Sequence, residues 1–454
     1  MDARALGVTL FVLCPLLAHA PDAASQPAPP GGTRDEVFHA FEGRRVEEAP
    51  PLTLREALDE ALRRNPELTA LRHQFEAARQ RPAQERSLMP PTFEAQIWAW
   101  PIDTLSPASA DMFMFTLGQD LPGFGKRRLR AAVAEKEAEL ASAEIAVRAR
   151  DVVDRVKRAY AELYLARKAI EIRLADVRLL RQLADISSAR YETGRISQQD
   201  VLKAVVEISR LHQDLVGLDE QARLAAARLN VLLDRPPDAP IGPLQEPRDR
   251  VALPPAGDLQ RIALERQPEL RAARLALERA EAALAAAERE RRPDFFVRGG
   301  YMAMPRGTDA WTFTAGLTWP TAPWARARVE ARVAETRAEI EAARARLRAA
   351  ENGIRLAVQE AYVRARAAEQ RAALLRTSVI PQSEQTLEVS RAAYQTDRVD
   401  FLALIDNQRT LVDARLEYYR ALSDLEQALA DLERAVGMEI AEAAAAAADT
   451  PEAR

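Results

Sequence analysis

The sequence predicts a mainly α-helical protein with a small β part and an internal two-fold repeat. Apolar residues recur every seven positions over long stretches, which is typical of coiled-coil helices. The region 293–320 instead alternates apolar and polar residues with a period of two, as a strand does. Short motifs of the first half recur in the second half roughly 200 residues later, so both halves are expected to contain the same elements.

The chain begins with a segment typical of a secretory signal peptide, residues 1–20. An apolar run, Leu6–Leu17, is followed by Ala18-His19-Ala20, whose alanines suit cleavage. Cleavage after Ala20 would remove Cys14, the single cysteine of the 454-residue chain. Residues 21–51 are rich in proline and charge and are expected to form a flexible arm.

Two structural repeats are predicted, at 52–235 and 257–437, with a Pro-rich linker at 236–256 between them. Each repeat is expected to run helix, strand, strand, long helix, turn, helix. The recurring motifs are Asn65–Leu68 with Gln267–Leu270, Phe115–Gly118 with Phe313–Gly316, and Tyr191–Ile196 with Tyr394–Val399. The Ala-rich segment 438–454 is expected to be disordered.

The predicted strands lie at about 92–100, 112–121, 295–304 and 310–319. In the last strand, Trp311 and Trp319 lie on the apolar face, about 26 Å apart at roughly 3.3 Å per residue. That distance is close to the apolar band of a membrane-spanning barrel, where Trp prefers the two interfaces. Thr312, Thr314 and Thr318 are expected to face the lumen. The residues expected to face lipid are Phe113, Phe115, Trp311, Phe313, Leu317 and Trp319.

A very long helix is predicted from about residue 126 to 191, or on the order of 100 Å. Its seven-residue seam includes Val156, Leu163, Ile170 and Val177. A compact globular core needs no such helix. We therefore expect long antiparallel coiled-coil hairpins.

Four strands per chain cannot close a barrel, and open strand edges are not tolerated in lipid. Three copies would supply twelve strands, an even number within the known range of outer-membrane barrels. The predicted assembly is a trimeric 12-stranded transmembrane β-barrel that the helical hairpins extend as an α-barrel. No later stretch reaches about 18 consecutive apolar residues, so a transmembrane helix is not expected.

The opening Leu52–Leu58, the Asn65–Leu68 motif and the two helix–turn segments resemble the TolC family of outer-membrane efflux proteins. The resemblance covers about Leu52–Met438, and Leu121–Arg127 looks like the heavy-metal efflux branch. It implies a homotrimer with its barrel in the lipid of the outer membrane and its helices in the periplasm. It also implies a periplasmic membrane-fusion adaptor and an inner-membrane RND-type pump or ABC exporter as partners.

The resemblance further implies that the pore closes at the tip of the helical hairpins. The tip turns hold Gly194, Arg195, Asp397 and Arg398, with Asp397 where the family usually has Gly. Asp406 matches one position of the family's constricting acidic ring, while Ala403 stands where the family often has another acid. In the first repeat, Asp200 and Lys203 occupy the corresponding place. We expect Asp200, Lys203 and Asp406 to line or latch the aperture; solvated helix-surface charges are the alternative.

Other classes of function find little support. The net charge is −4, with 64 Lys+Arg against 68 Asp+Glu, so no positive excess is available to neutralise nucleic-acid phosphates. The four histidines do not cluster as metal ligands, and no catalytic constellation stands out, so neither an enzyme nor a cofactor or metal site is expected. Met112 with Met114, and Met302 with Met304, could be soft metal ligands or packing residues inside a barrel.

The favoured function is an outer-membrane exit duct of a tripartite efflux system that passes metal ions or small toxic compounds. One alternative is the outer component of a type I protein secretion system, which the same family serves. Another is a soluble periplasmic coiled-coil adaptor, which leaves the alternation of Trp311–Trp319 unexplained. The residues do not reveal the cargo, the particular pump and adaptor, or the gating trigger.

Overall fold

The computed structural model describes residues 49–104, 106–193, 197–396 and 398–448. The predicted signal peptide, nearly all of the N-terminal arm and the tip residues Gly194, Arg195 and Asp397 lie outside the described residues. The part of the chain that is described is mostly helical and contains one small antiparallel sheet. The predicted fold class is therefore confirmed.

The first repeat contains four helices and two strands in the predicted order. They are α1 (Leu54–Arg64), α2 (Pro66–Arg86), β1 (Thr92–Trp98), β2 (Met112–Leu121), α3 (Lys126–Glu192) and α4 (Gln198–Leu232). A capping box between Thr53 and Glu56 starts α1. Asn65 ends α1 and caps α2 by accepting a hydrogen bond from the backbone N–H of Glu67, with Pro66 in the first helical position. Pro66 therefore separates two helices.

The second repeat has the same helix break, in which a side-chain cap is followed by proline. Gln267 accepts hydrogen bonds from the backbone N–H groups of Glu269 and Leu270, and Pro268 again occupies the first helical position. The elements are α5 (Ala256–Arg266), α6 (Pro268–Arg289), β3 (Phe295–Ala303), β4 (Ala310–Leu317), α7 (Arg326–Leu374), α8 (Ile380–Gln395) and α9 (Phe401–Val436). The shared order and shared cap support duplication of one unit.

A π-helical turn, Leu375–Val379, joins α7 to α8. Buried residues run along α7 at alternating spacings of three and four and end at Leu375. They resume as Ser383, Leu387, Ser390 and Tyr394, one residue later than a seven-residue period would give. A π turn inserts one residue into the helix, which accounts for this shift. Val389, which the unshifted period would bury, is 69% exposed.

The helices pack as pairs around apolar seams. Along α3, Val156, Leu163 and Val177 are fully buried, as the heptad prediction requires, whereas Tyr191 at the tip is exposed. One apolar cluster joins α1, α3 and α4, and a second joins α5, α7 and α9. Alanines fill much of both clusters, and their small side chains allow close approach of the helix axes.

The Pro-rich linker is held against α3 by hydrogen bonds. Arg167 donates to the backbone carbonyls of Gly242 and Ile241 at 2.6 and 2.7 Å. The hydroxyl of Tyr160 donates to the carbonyl of Leu52 at 2.8 Å and accepts from the backbone N–H of Gln245 at 2.7 Å. The linker therefore packs across the middle of α3.

The expectation of a disordered Ala-rich tail is wrong over its first part, where a helix, α10, spans Ile440–Ala448. Gly437 ends α9 in the left-handed conformation, with φ of 84°, and turns the chain back. Ile440 and Ala443 then enter the apolar cluster that contains Leu259 of α5. Burial of this apolar face, which composition alone does not reveal, stabilises the helix.

Candidate functional site

The four strands form one antiparallel sheet in the order β1-β2-β3-β4. In an antiparallel pair, residues directly opposite each other project from the same face. The register therefore collects one set of mainly apolar side chains on a single face, which we call the apolar face. It contains Phe93, Ala95, Ile97, Phe113, Phe115, Leu117, Phe295, Val297, Tyr301, Trp311, Phe313, Ala315 and Leu317.

The apolar face is open to its surroundings in the single chain. Trp311 is 82% exposed and Phe313 is 76% exposed, although both are large and apolar. Phe115 stacks on Phe93 with ring centroids 6.4 Å apart, and Tyr301 meets Trp311 at 5.2 Å. An exposed patch of this kind marks a surface that binds lipid or protein.

Five of the six residues predicted to face lipid lie on this face, namely Phe113, Phe115, Trp311, Phe313 and Leu317. Trp319 lies just beyond the end of β4 and is exposed. The structure thus brings the predicted residues together. Their contact with lipid remains a prediction.

The opposite face of the sheet is mainly polar, although Trp98 and Phe296 also lie on it. It contains Thr92, Glu94, Gln96, Thr116, Asp120, Arg298, Thr312 and Thr314. Met114 and Met302, from the two methionine pairs, are direct cross-strand partners on this face. Among the described residues, no group of three His, Cys, Asp or Glu side chains is arranged to hold a metal ion.

A buried lysine fixes the junction between the sheet and the helices. Lys126, the first residue of α3, is 2% exposed and contacts Glu290 at 3.1 Å and Asp294 at 2.9 Å. Asp294 also accepts a hydrogen bond of 2.7 Å from the backbone N–H of Gly123. A Cβ at Gly123 would lie 2.4 Å from the carbonyl oxygen of Pro293, so only glycine permits this approach.

The electrostatics of this junction follow from those contacts. Burial alone would raise the pKa of Glu290 and of Asp294. Hydrogen bonds from Arg130 and Lys126 to Glu290 outweigh burial, and those from Gly123 and Lys126 to Asp294 do the same, so both pKa values are lowered. The junction therefore stays ionised and joins the start of α3 to the segment before β3.

At the other end of the helices, the predicted gate residues do not contact one another within one chain. The carboxylate of Asp200, in the first turn of α4, accepts a hydrogen bond of 3.2 Å from Ser197. Lys203 is half-buried and Asp406 is exposed near the start of α9. In the described part of the chain, no ion pair joins Lys203 to either aspartate. Any latch between these residues would have to form between chains.

Arg398, the one described residue of the predicted tip-turn set, is exposed. Arg190, near the end of α3, joins the tip of the first hairpin to the end of α8 in the second. Its guanidinium donates to the backbone carbonyls of Tyr394 and Gln395 at 3.0 and 3.2 Å and lies 4.7 Å from the Tyr394 ring centroid. The two repeats therefore meet at their tips.

Two polar contacts near the tip were missed by sequence reasoning. Arg409 of α9 donates from Nε to Glu207 of α4 at 2.8 Å, with a second hydrogen bond from its NH2 group. Gln408 donates to Asp176 of α3 at 3.0 Å, and both side chains are buried. Together these contacts form the tip network, which joins α3, α4 and α9.

A sequence signal for this network did exist. Gln408 falls at helical spacing between Leu404 and Leu411, so a polar side chain interrupts an apolar seam. Such residues often specify register between helices. Its partner was not predictable, because Asp176 lies 232 positions away in the sequence.

Arg173 adds positive charge beside the tip network. Its guanidinium lies 3.7 Å from Asp176, 3.7 Å from Asp214 and 3.6 Å from Asp413. Burial is the largest influence on Asp176 and raises its pKa, against the opposing effects of Gln408 and Arg173. Gln408 Oε1 has no hydrogen-bond partner among the described residues.

In the described part of the chain, long paired helices end in a sheet with one exposed apolar face. The family model described as outer membrane efflux protein matches residues 57–234 and 259–438. The chain therefore belongs to the outer membrane efflux protein family. Because that family consists of efflux channels, the chain is not an enzyme. No helix in the described ranges has the length and apolarity needed to cross a membrane.

One curated relative is the cobalt-zinc-cadmium resistance protein CzcC of Cupriavidus metallidurans. It is 25% identical over 394 residues, which cover 86% of this chain and 91% of the relative. The expected resemblance to the TolC family of outer-membrane efflux proteins, with a likeness to its heavy-metal efflux branch, is confirmed.

Solved structures share the fold. The outer-membrane channel OprN is 20% identical with a TM-score of 0.72, over 85% of this chain and 90% of OprN. The outer membrane protein VceC of Vibrio cholerae is 20% identical with a TM-score of 0.70, over 85% and 96% of the two chains. CusC is 18% identical with a TM-score of 0.70, over 85% and 92%.

Proposed function

We propose that this protein is an outer-membrane exit channel of an efflux system and that it works as a homotrimer. The observation that carries the proposal is the apolar face of the sheet, on which Trp311 and Phe313 are largely exposed. Water would disfavour such a surface, whereas the apolar core of a bilayer would not. Membership of the outer membrane efflux protein family supports the same location.

The unpaired edges of the sheet are the reason for proposing a trimer. β1 and β4 each have a partner on one side only among the described residues. Unpaired backbone groups at such edges cost several kcal/mol each in lipid, on the order of 2–7. Pairing β4 of one chain with β1 of the next removes every edge if three chains close a ring of twelve strands.

The helices would form the periplasmic part of the channel. α3 alone has 67 residues and spans on the order of 100 Å. Six hairpins from three chains would enclose a tube that continues the barrel lumen. The polar face of the sheet, with Arg298 and Thr314 as direct partners, would line the lumen at the barrel end.

The partners proposed are a periplasmic membrane-fusion adaptor and an inner-membrane pump. The proposed cargo is metal ions, because the relative CzcC is by name a cobalt-zinc-cadmium resistance protein. Small toxic compounds are the other candidate cargo. Type I protein secretion stays an alternative, and a soluble periplasmic adaptor is disfavoured because it leaves the apolar face exposed to water.

The pore is proposed to close at the tip. Asp406 would form an anionic ring in the trimer, and Asp200 and Lys203 would line the same aperture. The turns at Gly194, Arg195, Asp397 and Arg398 would form the surface that the adaptor reaches. The tip network supports this proposal, because Gln408 and Arg409 join the hairpins within one helical turn of Asp406.

The first test is assembly. We expect the mature protein to stay in outer-membrane fractions after carbonate washing and to have, in mild detergent, the mass of three chains of about 50 kDa each. A monomer that carbonate releases would exclude the channel.

The second test is cargo. Deleting the gene in its host should lower the tolerated concentrations of zinc, cobalt and cadmium, and the intact gene should restore them. Loss of drug tolerance alone would assign small toxic compounds as cargo. Loss of a secreted protein would favour type I secretion.

A further inference from the structure

Large aromatic side chains mark the end of the apolar face that lies nearest the helices. Phe124 is 81% exposed, Trp324 is 82% exposed and Trp319 is 62% exposed. Phe124 meets Phe295 of the apolar face with ring centroids 6.5 Å apart, and Trp319 meets Trp324 at 6.3 Å. These contacts place the aromatic side chains at the boundary between the apolar face and the polar helical region.

The same boundary is rich in arginines that have no acidic partner. In the described structure, no carboxylate lies within ion-pair distance of any member of a set that we call the boundary arginines. Its members are Arg128, Arg289, Arg291, Arg292 and Arg328. The nearby acids Glu290 and Asp294 are already engaged by Lys126 and Arg130. The boundary therefore carries uncompensated positive charge.

Local helix energetics do not explain Arg128 and Arg328, whereas Arg289 lies in the last turn of α6, where the helix dipole favours a cation. α1, α2, α5 and α6 each have an acidic residue in the first turn, where the helix dipole favours it. α3 and α7, which start at the sheet, have no acid in the first turn and begin with basic residues instead. Neither has a side-chain cap. Acids of the same chain compensate Lys126 and Arg326, but Arg128 and Arg328 lie in these first turns without a carboxylate partner, where an external anion would stabilise them.

The opposite end of the sheet has a different charge. Its loops, 99–111 and 304–309, contain Asp103, Asp111 and Asp309 and a single arginine, Arg306. Arg306 is paired with Asp111 at 2.8 Å. Exposed aromatics occur at this end too, with Trp98 and Trp100. The positive charge is therefore particular to the helical end.

We propose that the boundary arginines bind the phosphate groups of anionic phospholipids in the leaflet next to the helical region. The guanidinium fork suits phosphate oxygens, and Trp side chains favour the level of the headgroups. The ligand class is a diacyl phospholipid with net negative charge, such as phosphatidylglycerol. This inference rests on the proposed function, because it requires the sheet to lie in a bilayer.

Four boundary arginines can be neutralised together in Arg128→Gln/Arg291→Gln/Arg292→Gln/Arg328→Gln. The matched control is Arg271→Gln/Arg346→Gln/Arg348→Gln/Arg391→Gln, which makes the same charge change at exposed arginines of α6, α7 and α8 that also lack an acidic partner. Native mass spectrometry would count phosphatidylglycerol and phosphatidylcholine molecules that stay bound to the solubilised assembly. We expect the wild type and the control to prefer phosphatidylglycerol, and the boundary variant to lose the preference about tenfold.

Several results would overturn the inference. They are equal retention of both lipids by the wild type, an unchanged preference in the boundary variant, displacement of the lipid by millimolar inorganic phosphate, and a stronger preference for lipid A than for phosphatidylglycerol. If the boundary variant does not assemble, the loop variant Arg291→Gln/Arg292→Gln replaces it and should lose part of the preference. A wild-type protein that does not enter bilayers would instead contradict the proposed function. Insertion without lipid preference would contradict this inference alone.

Discussion

Gln408 of α9 donates a buried hydrogen bond to Asp176 of α3, and the two helices belong to different repeats. The residue after Gln408, Arg409, pairs with Glu207 of α4. Two consecutive side chains of one helix thus hold both helices of the other hairpin. Because the pore is proposed to close at the tip, these contacts are the first places to test.

We expect Asp176→Asn to reduce the pH dependence of the stability of the tip. Burial raises the pKa of Asp176 above its ordinary value of about 3.9, despite Gln408 and Arg173, with Glu207 and Asp413 also nearby. The folded state therefore holds this proton more strongly than the unfolded state. Ionisation of Asp176 then lowers the free energy of unfolding as pH rises from about 4 through the folded pKa.

The measurement is the melting temperature of the solubilised protein from about pH 4 to pH 8. The wild type should lose more stability over this range than Asp176→Asn. Asp185→Asn, at an exposed position of α3, serves as the control and should follow the wild type. Parallel curves for all three proteins would contradict a role for Asp176.

We expect Glu207→Gln and Arg409→Gln to raise the resting conductance of the channel in a planar bilayer. Glu207 is 9% exposed whereas the Arg409 side chain is 44% exposed, so removal of either partner breaks a half-buried pair, at a cost of about 1 kcal/mol. The resting conductance of the double variant Glu207→Gln/Arg409→Gln should differ little from that of either single variant, because each single change already removes the ion pair. Arg332→Gln, which breaks an exposed ion pair with Glu335 on α7, should leave the conductance unchanged.

We expect Asp406→Ala to reduce the cation selectivity of the channel, and Lys203→Ala to raise its resting conductance. Three symmetric copies of Asp406 would concentrate negative potential at the aperture. Reversal potentials in a salt gradient report the selectivity. Glu388→Ala removes an exposed carboxylate of α8 and is the control. If Asp406→Ala and Lys203→Ala both behave as the wild type, these residues are surface charges and the gate lies elsewhere.

We expect Phe313→Arg to reduce the yield of assembled trimer, whereas Thr312→Arg should be milder. Phe313 lies on the apolar face in the middle of β4, and an arginine facing lipid costs about 2–4 kcal/mol near the bilayer midplane. Thr312 lies on the polar face opposite Gly300 and would project into water. Heat-modifiable gel mobility measures the yield. Equal losses at both positions would contradict the assignment of the two faces.

The sequence was sufficient to predict the elements, because periodicity is a local property. The heptads of α3 and the alternation around Trp311–Trp319 can each be recognised within one stretch. The capped break at Pro66 follows from the stiffness of proline and recurs at Pro268. α10 was missed because its stability comes from burial of Ile440 against α5, a contact that composition does not encode.

The candidate sites were less accessible to sequence reasoning. The sequence alone suggests that Lys126 is an exposed cation. In the structure it is buried against Asp294, which lies 168 residues away in the sequence. Glu207 and Arg409 are two of many charged residues in the sequence, and only the tertiary structure shows that they pair with each other. The predicted lipid-facing residues were easier to find, because strand alternation also fixes which face a side chain occupies.

The single residue inserted at the π turn Leu375–Val379 divides the interface of the second hairpin into two parts of different composition. Above the turn, the buried seam of α7 consists mainly of alanine, valine and isoleucine. Below it, the shift moves Val389 outward and brings Ser383 and Ser390 into contact with α9, where Asn407 donates to Ser390 at 2.7 Å. Below the turn the interface combines these hydroxyl and amide groups with the buried Leu387 and Tyr394. The inserted residue therefore sets the level at which a mainly apolar contact between the hairpin helices changes to a mixed one.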